Sequence, residues 1–345
     1  MIGAGRDVRG GVSSVVNSYY DAGLDKMCEL TYLPTMQDGS KLKKLFVAAW
    51  ARLRFEFLIK KQDILHVHMS ADNSFYRKAM FIRKAYQEKK KIIIHMHGST
   101  FDLFYQERCN EAQKQEVKEI FRMADKVIAL SEDWKKFLEE FICEADKIEV
   151  IYNAVKMPEA YEKDYTNQNM LFLGILGQRK GTYDLIEVLP EIFEKYPKAH
   201  LYFGGDGERE QAEKLCREKG IADHVTFLGW VRGTEKEKML KECSMYVLPT
   251  YHEGMPMSIL EAMSYGMAVV STYVGGIPHL IKDGENGLLC EAGDKVGLSR
   301  NLIKMLEDDE LREKTGRNAK DTIKKKFDIQ LKIQRLILIY KELIG

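Results

Sequence analysis

The chain predicts an α/β fold built as two parallel-sheet domains. Three observations carry this: a length of 345 residues, about twice that of a usual domain, short β-rich runs alternating with helix-length segments, and one restart of that alternation after residues 158–169. In the first half the runs are DILHVHM, KKKIIIHMHG, KVIALS and IEVIYNAV; in the second they are MLFLGIL, HLYFGGDG, HVTFLGW, SMYVLPT and MAVVSTY. Strands joined through helices return in the same direction, so each half reads as a stack of βαβ units around a parallel sheet.

The polar stretch PEAYEKDYTNQN, Pro158 to Asn169, reads as the joint, giving domains at 1–157 and 158–345, with the last helix expected to pack back on the N-terminal domain. Only MIGA precedes the polar loop GRDVRGG, so the first strand is either unusually short or begins upstream of Met1. Residues Asp321 to Ile344 carry Lys and Leu/Ile at helical spacing and read as one or two helices closing the fold.

Composition excludes whole classes. A hydrophobic fraction of 45% with 30% charged residues is that of a globular protein, not of a disordered or fibrous one. The six cysteines are scattered without a C-x-x-C pair, which suits free thiols in a reducing compartment. No run approaches the apolar length of a membrane span, and the start lacks the apolar core of a signal peptide. A cytoplasmic protein is expected, one still able to rest on the inner face of a membrane. The net charge is +1, yet Met1 to Thr100 holds 17 Lys and Arg against 9 Asp and Glu. A basic N-terminal part facing an acidic remainder suggests an anionic contact there, a membrane surface or a phosphorylated substrate, unless the charges only solvate helix faces. From Lys41 to Lys61, Leu42, Leu45, Phe46, Ala49, Leu53 and Phe57 share one helical face, with Lys43, Lys44, Arg52, Arg54, Lys60 and Lys61 mostly elsewhere. Such a helix either packs that face on the core or lays it on anionic lipid. No stacking motif calls for nucleic acid.

The most specific block is EGMPMSILEAMSYGMAVVS. A turn, Glu253 to Pro256, leads into a helix that stops at Gly266 before a strand. The amides of Gly254, Met255 and Met257 fall at the helix start, where unpaired N–H groups favour hydroxyl or phosphate oxygens. Glu253 and Glu261 are eight apart, about 10 Å by helical rise, which suits two polar ends of one ligand better than one metal ion. After MLFLGIL comes GQRKGTYDLI, whose Arg179 and Lys180 sit in a Gly-flanked turn before a helix, where cations can meet a diphosphate. The chain has no Asp-x-Asp triplet to bridge a metal to such a group, so fixed cations are expected to do that work and no metal site is assigned. KIIIHMHG puts His95 and His97 at the C-terminal edge of a strand, where ligands of open α/β sheets bind. With His66 and His68 on the neighbouring strand they also raise a metal site as the lesser alternative.

The Glu253-to-Glu261 block resembles the E-x7-E signature of the family 4 glycosyltransferases, retaining enzymes of the GT-B fold, in which two Rossmann-like domains face a central cleft. The resemblance extends over nearly the whole chain. It implies transfer of a hexose-type sugar from a UDP- or GDP-linked donor, without metal or other cofactor, to a glycan or polyprenyl-linked acceptor. By the same resemblance Glu253 contacts the donor sugar and Glu261 the ribose, while Gly254, Met255, Pro256 and Met257 line the sugar. Arg179 and Lys180 take the diphosphate, and His97 supports the reacting centre. Gly10 and Gly11 form the loop near diphosphate and acceptor, Gly205 and Asp206 line the nucleotide, and Val231 or Trp230 seats the base. The family pattern G-R-x4-K-G is met at Gly174, Lys180 and Gly181, but Ile175 stands where Arg is usual, with Arg179 as its expected substitute. GGVSSVV and HGSTFDLFY resemble bacterial capsule and exopolysaccharide enzymes, and a growing surface glycan is the expected acceptor. An epimerase of the same fold, or a silent donor-binding subunit of an assembly complex, are the competing expectations.

Overall fold

A computed structural model describes residues 1–345. The chain divides into two compact units, Met1–Lys156 with Ile329–Gly345, and Met157–Asp328. The first holds strands β1 (Ile2–Ala4), β2 (Leu33–Met36), β3 (Ile64–Met69), β4 (Lys91–Met96), β5 (Lys126–Ala129) and β6 (Ile148–Val150) in the order β2-β1-β3-β4-β5-β6. The second holds β7 (Asn169–Leu173), β8 (His200–Gly204), β9 (Val225–Gly229), β10 (Met245–Leu248), β11 (Ala268–Thr272) and β12 (Leu288–Cys290) in the order β12-β11-β10-β7-β8-β9. Every pairing is parallel. The order reverses once in each sheet, between β1 and β3 and between β7 and β10, and such switch points open a crevice at the strands' carboxyl ends.

Both sheets are covered by helices, so their central strands bury side chains on both faces and read as continuous apolar runs. In the first unit Val67, Ile92, Ile94 and Val127 pack with Phe75 and Ile82 of the helix Asn73–Gln87 and with Ile120 and Phe121 of the helix Glu111–Arg122. Each such side chain contributes about 1.5–3 kcal/mol by leaving water. Local chemistry sets the helix starts: Asn110 and Gln113 form a reciprocal capping box, both bonds 2.9 Å, and Ser131 accepts from Trp134 N at 3.2 Å.

The polar stretch 158–169 is not a free tether. Tyr165 Oη donates to Gly266 O at 2.9 Å, Lys163 Nζ donates to Leu240 O at 2.6 Å, and Tyr161 Oη donates to Tyr265 O. The wholly buried Arg312 donates to Tyr165 O through Nε at 2.8 Å and to Met305 O, sewing the segment onto the helix Asp309–Lys326. After that helix the chain returns to the first unit as the helix Ile329–Ile344, entered by a bond from Ile329 N to Val155 O of 3.0 Å.

The helix Lys41–Leu58 departs from core packing. Only Ala51 and Phe55 are buried, and the stripe with Leu42, Phe46 and Leu53 faces solvent. Of the two readings the pattern allowed, the core-facing one fails for that stripe.

Candidate active site

In the second unit the predicted residues gather at the β7/β10 switch point. β7 and β10 are neighbours, Met170 beside Met245 and Leu171 beside Tyr246, so the loops that follow them rise side by side. The first loop runs through Gly174 into a single turn, Gln178–Lys180, then Gly181 and the helix Thr182–Lys195. Gly181 has φ of +70°, and a Cβ there would lie 1.9 Å from Pro249 O, so no other residue lets the loop approach β10's exit this closely. The second loop locks onto the first through bonds to Arg179 O from Tyr251 N at 2.9 Å and from Thr250 Oγ1 at 3.0 Å.

This clasp brings Lys180 and Glu253 into an ion pair, with side chains only 13% and 9% exposed. Thr250 Oγ1 also lies 3.4 Å from Glu253 Oε1. Arg179 stays exposed and donates to His252 O at 3.1 Å, and Ile175 is exposed as well. The loop after β8 closes on the same place. Leu176 N donates to Asp206 O at 2.7 Å, and a Cβ on Gly205 would fall 1.7 Å from Gly174 O. Val231 is buried and comes up against Gly204.

Pro256 caps the helix Met257–Ser264, whose start (Met255, Met257) is buried while Gly254 O accepts from Gly276 N at 2.7 Å. Glu261, in that helix, pairs with Lys236 of the helix Gly233–Glu242 at 2.7 Å. The unit thus sets two anchored carboxylates, Glu253 and Glu261, each against a lysine. Oxygen-rich, anionic ligands meet both donors and acceptors in such a set.

In the first unit four imidazoles stack on one sheet face. The register sets His68 beside His95, and alternation along each strand puts His66 and His97 on the same side. Ring centroids are 4.7 Å apart for His66 and His68, 5.2 Å for His68 and His95, and 4.2 Å for His95 and His97. His66 Nδ1 meets Tyr340 Oη at 2.6 Å and His66 Nε2 meets His95 Nδ1 at 3.2 Å, while His68 Nδ1 meets His97 Nε2 at 2.8 Å. Nε2 of His68 and of His95 is buried without a partner. Burial pushes His95 down to about 3 and His66, His68 and His97 well below the ordinary imidazole range, with neighbouring imidazoles adding to it. The rings are therefore neutral.

A neutral ring has one N–H and one lone pair, and burying a lone pair unpartnered costs less than orphaning an N–H. The proton of His68 is thus assigned to Nδ1, donating to His97 Nε2, which leaves the His97 proton on Nδ1. A metal fits the cluster poorly although candidate atoms of His66, His68 and His95 lie within 4.8 Å of one another. Metal bonds lie in the ring plane, and the His66 and His68 rings are stacked at 13°, so their planes do not converge on one point.

Gly10, with φ of +146°, caps the helix Gly11–Asp21, and Arg9 N donates to Asp38 Oδ2 at 3.2 Å beside it. His97 N is held by Met69 O at 2.7 Å at the edge of the sheet.

Several participants escaped sequence reasoning. Lys236 lies in the evenly charged TEKEKMLKE, where nothing distinguishes it. Gly275 was findable, as a Gly-Gly pair between strand and helix; its φ is +52°, and a Cβ there would sit 1.7 Å from Glu253 O. Lys78 shares the inward stripe of Phe75 and Ile82, and that spacing alone marks it as buried. Desolvation pushes its ammonium down to about 7, and it bonds Ser74 Oγ at 2.6 Å.

Residues 155–322 match the family described as Glycosyl transferases group 1, and residues 23–157 match Glycosyltransferase Family 4. An uncharacterized glycosyltransferase of Methanocaldococcus jannaschii, MJ1607, is 30% identical over 227 residues, 60% of this chain and 58% of that protein. The lipopolysaccharide core biosynthesis glycosyltransferase LpsE of Rhizobium meliloti is 31% identical over 159 residues, 46% of this chain and 45% of its own. This chain thus spans about half the length of these relatives. Among solved structures, that of Anabaena HepE in complex with UDP and glucose superposes with a TM-score of 0.79 at 17% identity, covering 99% of this chain and 98% of that one. The two family matches adjoin and together span residues 23–322, and the two-sheet fold is shared with HepE: the chain belongs to the family 4 glycosyltransferases of GT-B type.

Proposed function

We propose that the protein is a retaining, metal-independent glycosyltransferase that moves a hexose-type sugar from a UDP- or GDP-linked donor to a glycan or polyprenyl-linked acceptor. The observation that carries this reading is the Lys180–Glu253 pair at the switch point, with Glu261–Lys236 on the adjoining helices. A ligand with a sugar at one end, a ribose at the other and a diphosphate between needs two acceptors and cations between them. The two carboxylates and two lysines, with Arg179 and the amides of the Met257–Ser264 helix start, supply that set.

In the proposed step the bond from the sugar's C1 to the diphosphate oxygen breaks as the acceptor oxygen bonds C1 on the same face. The acceptor proton passes to the departing phosphate oxygen. Lys180 and Arg179 offset the charge growing on that oxygen, Glu253 holds sugar hydroxyls, and His97, protonated on Nδ1, donates near the reacting centre. Because these fixed cations balance the leaving group, turnover in EDTA should equal turnover with added magnesium. Support for a UDP donor comes from HepE, solved with UDP and glucose. Support for surface polysaccharide assembly comes from the likeness to LpsE, a lipopolysaccharide core biosynthesis glycosyltransferase, and support for an anionic contact at the inner face of a membrane comes from the basic N-terminal part.

The test is donor turnover by wild type and Glu253→Gln over a panel of UDP- and GDP-hexoses with lipid-linked acceptors. Wild type should release nucleoside diphosphate only with an acceptor present, and Glu253→Gln should lose about 100-fold or more, the scale of a removed transition-state contact. Tight donor binding without turnover would favour a silent subunit, and donor isomerisation without acceptor an epimerase. Either result refutes the transfer reading.

A further inference from the structure

The helix Lys41–Leu58 has two apolar sides and only one core to bury. Its inward stripe, Ala51 and Phe55, is narrow. On the opposite side Leu42, Leu45, Phe46, Trp50, Leu53 and Phe57 fall within an arc of about 140° at 3.6 residues per turn. All six are exposed: Leu42 at 79%, Phe46 at 72%, Leu53 at 68% and Phe57 at 74% among them. Single exposed apolar residues are ordinary, but a continuous ridge about 22 Å long is not. No helix of the chain is long and apolar enough to cross a membrane, so this ridge lies along a surface or against a partner.

Charge decides what covers it. By the same helical spacing Lys43 and Arg54, continued by Lys61 in the following turn, flank the ridge on one side, and Lys41 and Arg52 flank it on the other. The helix has one acid, Glu56, and that is taken by Lys84 of the neighbouring helix at 2.9 Å. Two copies joined ridge to ridge would bring lysines and arginines against lysines and arginines. A bilayer carrying anionic headgroups offers opposite charge to both flanks and a place for the ridge among the acyl chains.

The ridge also starts where a membrane-borne ligand would be useful. Gly5 N donates to Met36 O at 2.8 Å and Arg9 N to Asp38 Oδ2 at 3.2 Å, tying the Gly10–Gly11 loop to the segment that enters this helix. We propose that the helix Lys41–Leu58 docks the protein on anionic lipid by burying its outer apolar ridge between two basic flanks. This specifies the membrane contact of the proposed function; lipid binding is read without turnover, so a failure of either idea is distinguishable from a failure of the other.

Co-sedimentation with phosphatidylcholine vesicles, with and without phosphatidylglycerol, tests it. Wild type should pellet with phosphatidylglycerol-containing vesicles at low salt and be released as salt is raised. Its emission should shift to the blue on binding, a shift absent in Trp50→Phe. The exposed pair Phe46→Glu with Leu53→Glu should cut binding about tenfold or more, and Lys43→Gln with Arg54→Gln about tenfold. Circular dichroism melts of these surface variants should match wild type. Wild type left in the supernatant, equal binding to neutral and anionic vesicles, or a solution dimer that Phe46→Glu with Leu53→Glu splits would each overturn the proposal.

Discussion

Mild acid should destabilise the first unit, because folding buries its four stacked imidazoles in the neutral form. Desolvation holds His95 down at about 3, and the other three well below the ordinary value, with like-charge repulsion between rings adding to burial. In the unfolded chain each returns to about 6.5. Below that pH the unfolded state binds protons that the folded state refuses, so the contribution to stability is complete above about 6.5 and falls as pH drops toward the folded values. At pH 5 the His95 imidazole alone costs about 2 kcal/mol, and His66, His68 and His97 act in the same direction. Urea melts followed by circular dichroism from pH 7.5 to pH 5 should show a transition that moves to lower urea as pH falls, with a slope of more than one proton. His95→Gln should flatten that slope by about one proton. A midpoint that does not move across this window would refute neutral burial and with it the assignment of the His97 proton to Nδ1.

Other consequences are local to the second unit. Glu261→Gln keeps the shape but not the charge, and should weaken UDP or GDP binding by about tenfold or more in calorimetry, the scale of a lost charge-assisted bond. Gly205→Ala sets a Cβ against Gly174 O with no flexible atom to yield, and should lower the second unit's stability by about 3 kcal/mol in urea melts, with loss of nucleotide binding. Arg312→Met strips the buried donors from Tyr165 O and Met305 O and should cost about 1–3 kcal/mol for each carbonyl left bare. If that variant melts like wild type, the 158–169 segment is not held as described.

How far the sequence speaks depends on whether a feature is local. The run DILHVHM contains β3 and MLFLGIL contains β7 because central parallel strands bury both faces and so show up as unbroken apolar text. β2 and β12 are edge strands, short and half as demanding. β2 carries Pro34, which an edge tolerates, and so neither stands out from loop. At the site, Glu253 and Glu261 are legible because turn and helix set them in one contiguous block. The Lys180–Glu253 pair spans 73 residues and exists only because β7 and β10 are neighbours. That order is a property of topology, and no spacing in the text encodes it.

The helix Lys41–Leu58 shows the sharper limit. Periodicity tells which residues share a face, but it says nothing of which way the face looks. Here the text offers two apolar stripes, and the larger side chains lie on the outer one. Burial favours the stripe that fits, not the one that is most apolar: the small Ala51 is wholly buried in the core cluster, and Phe55 meets Phe81 edge-on at 4.9 Å. A ridge bearing Phe46 and Phe57 would hold the helix further from the sheet and leave a void beneath it. The inward face is therefore chosen by fit, and the outer ridge is left for a surface soft enough to take it.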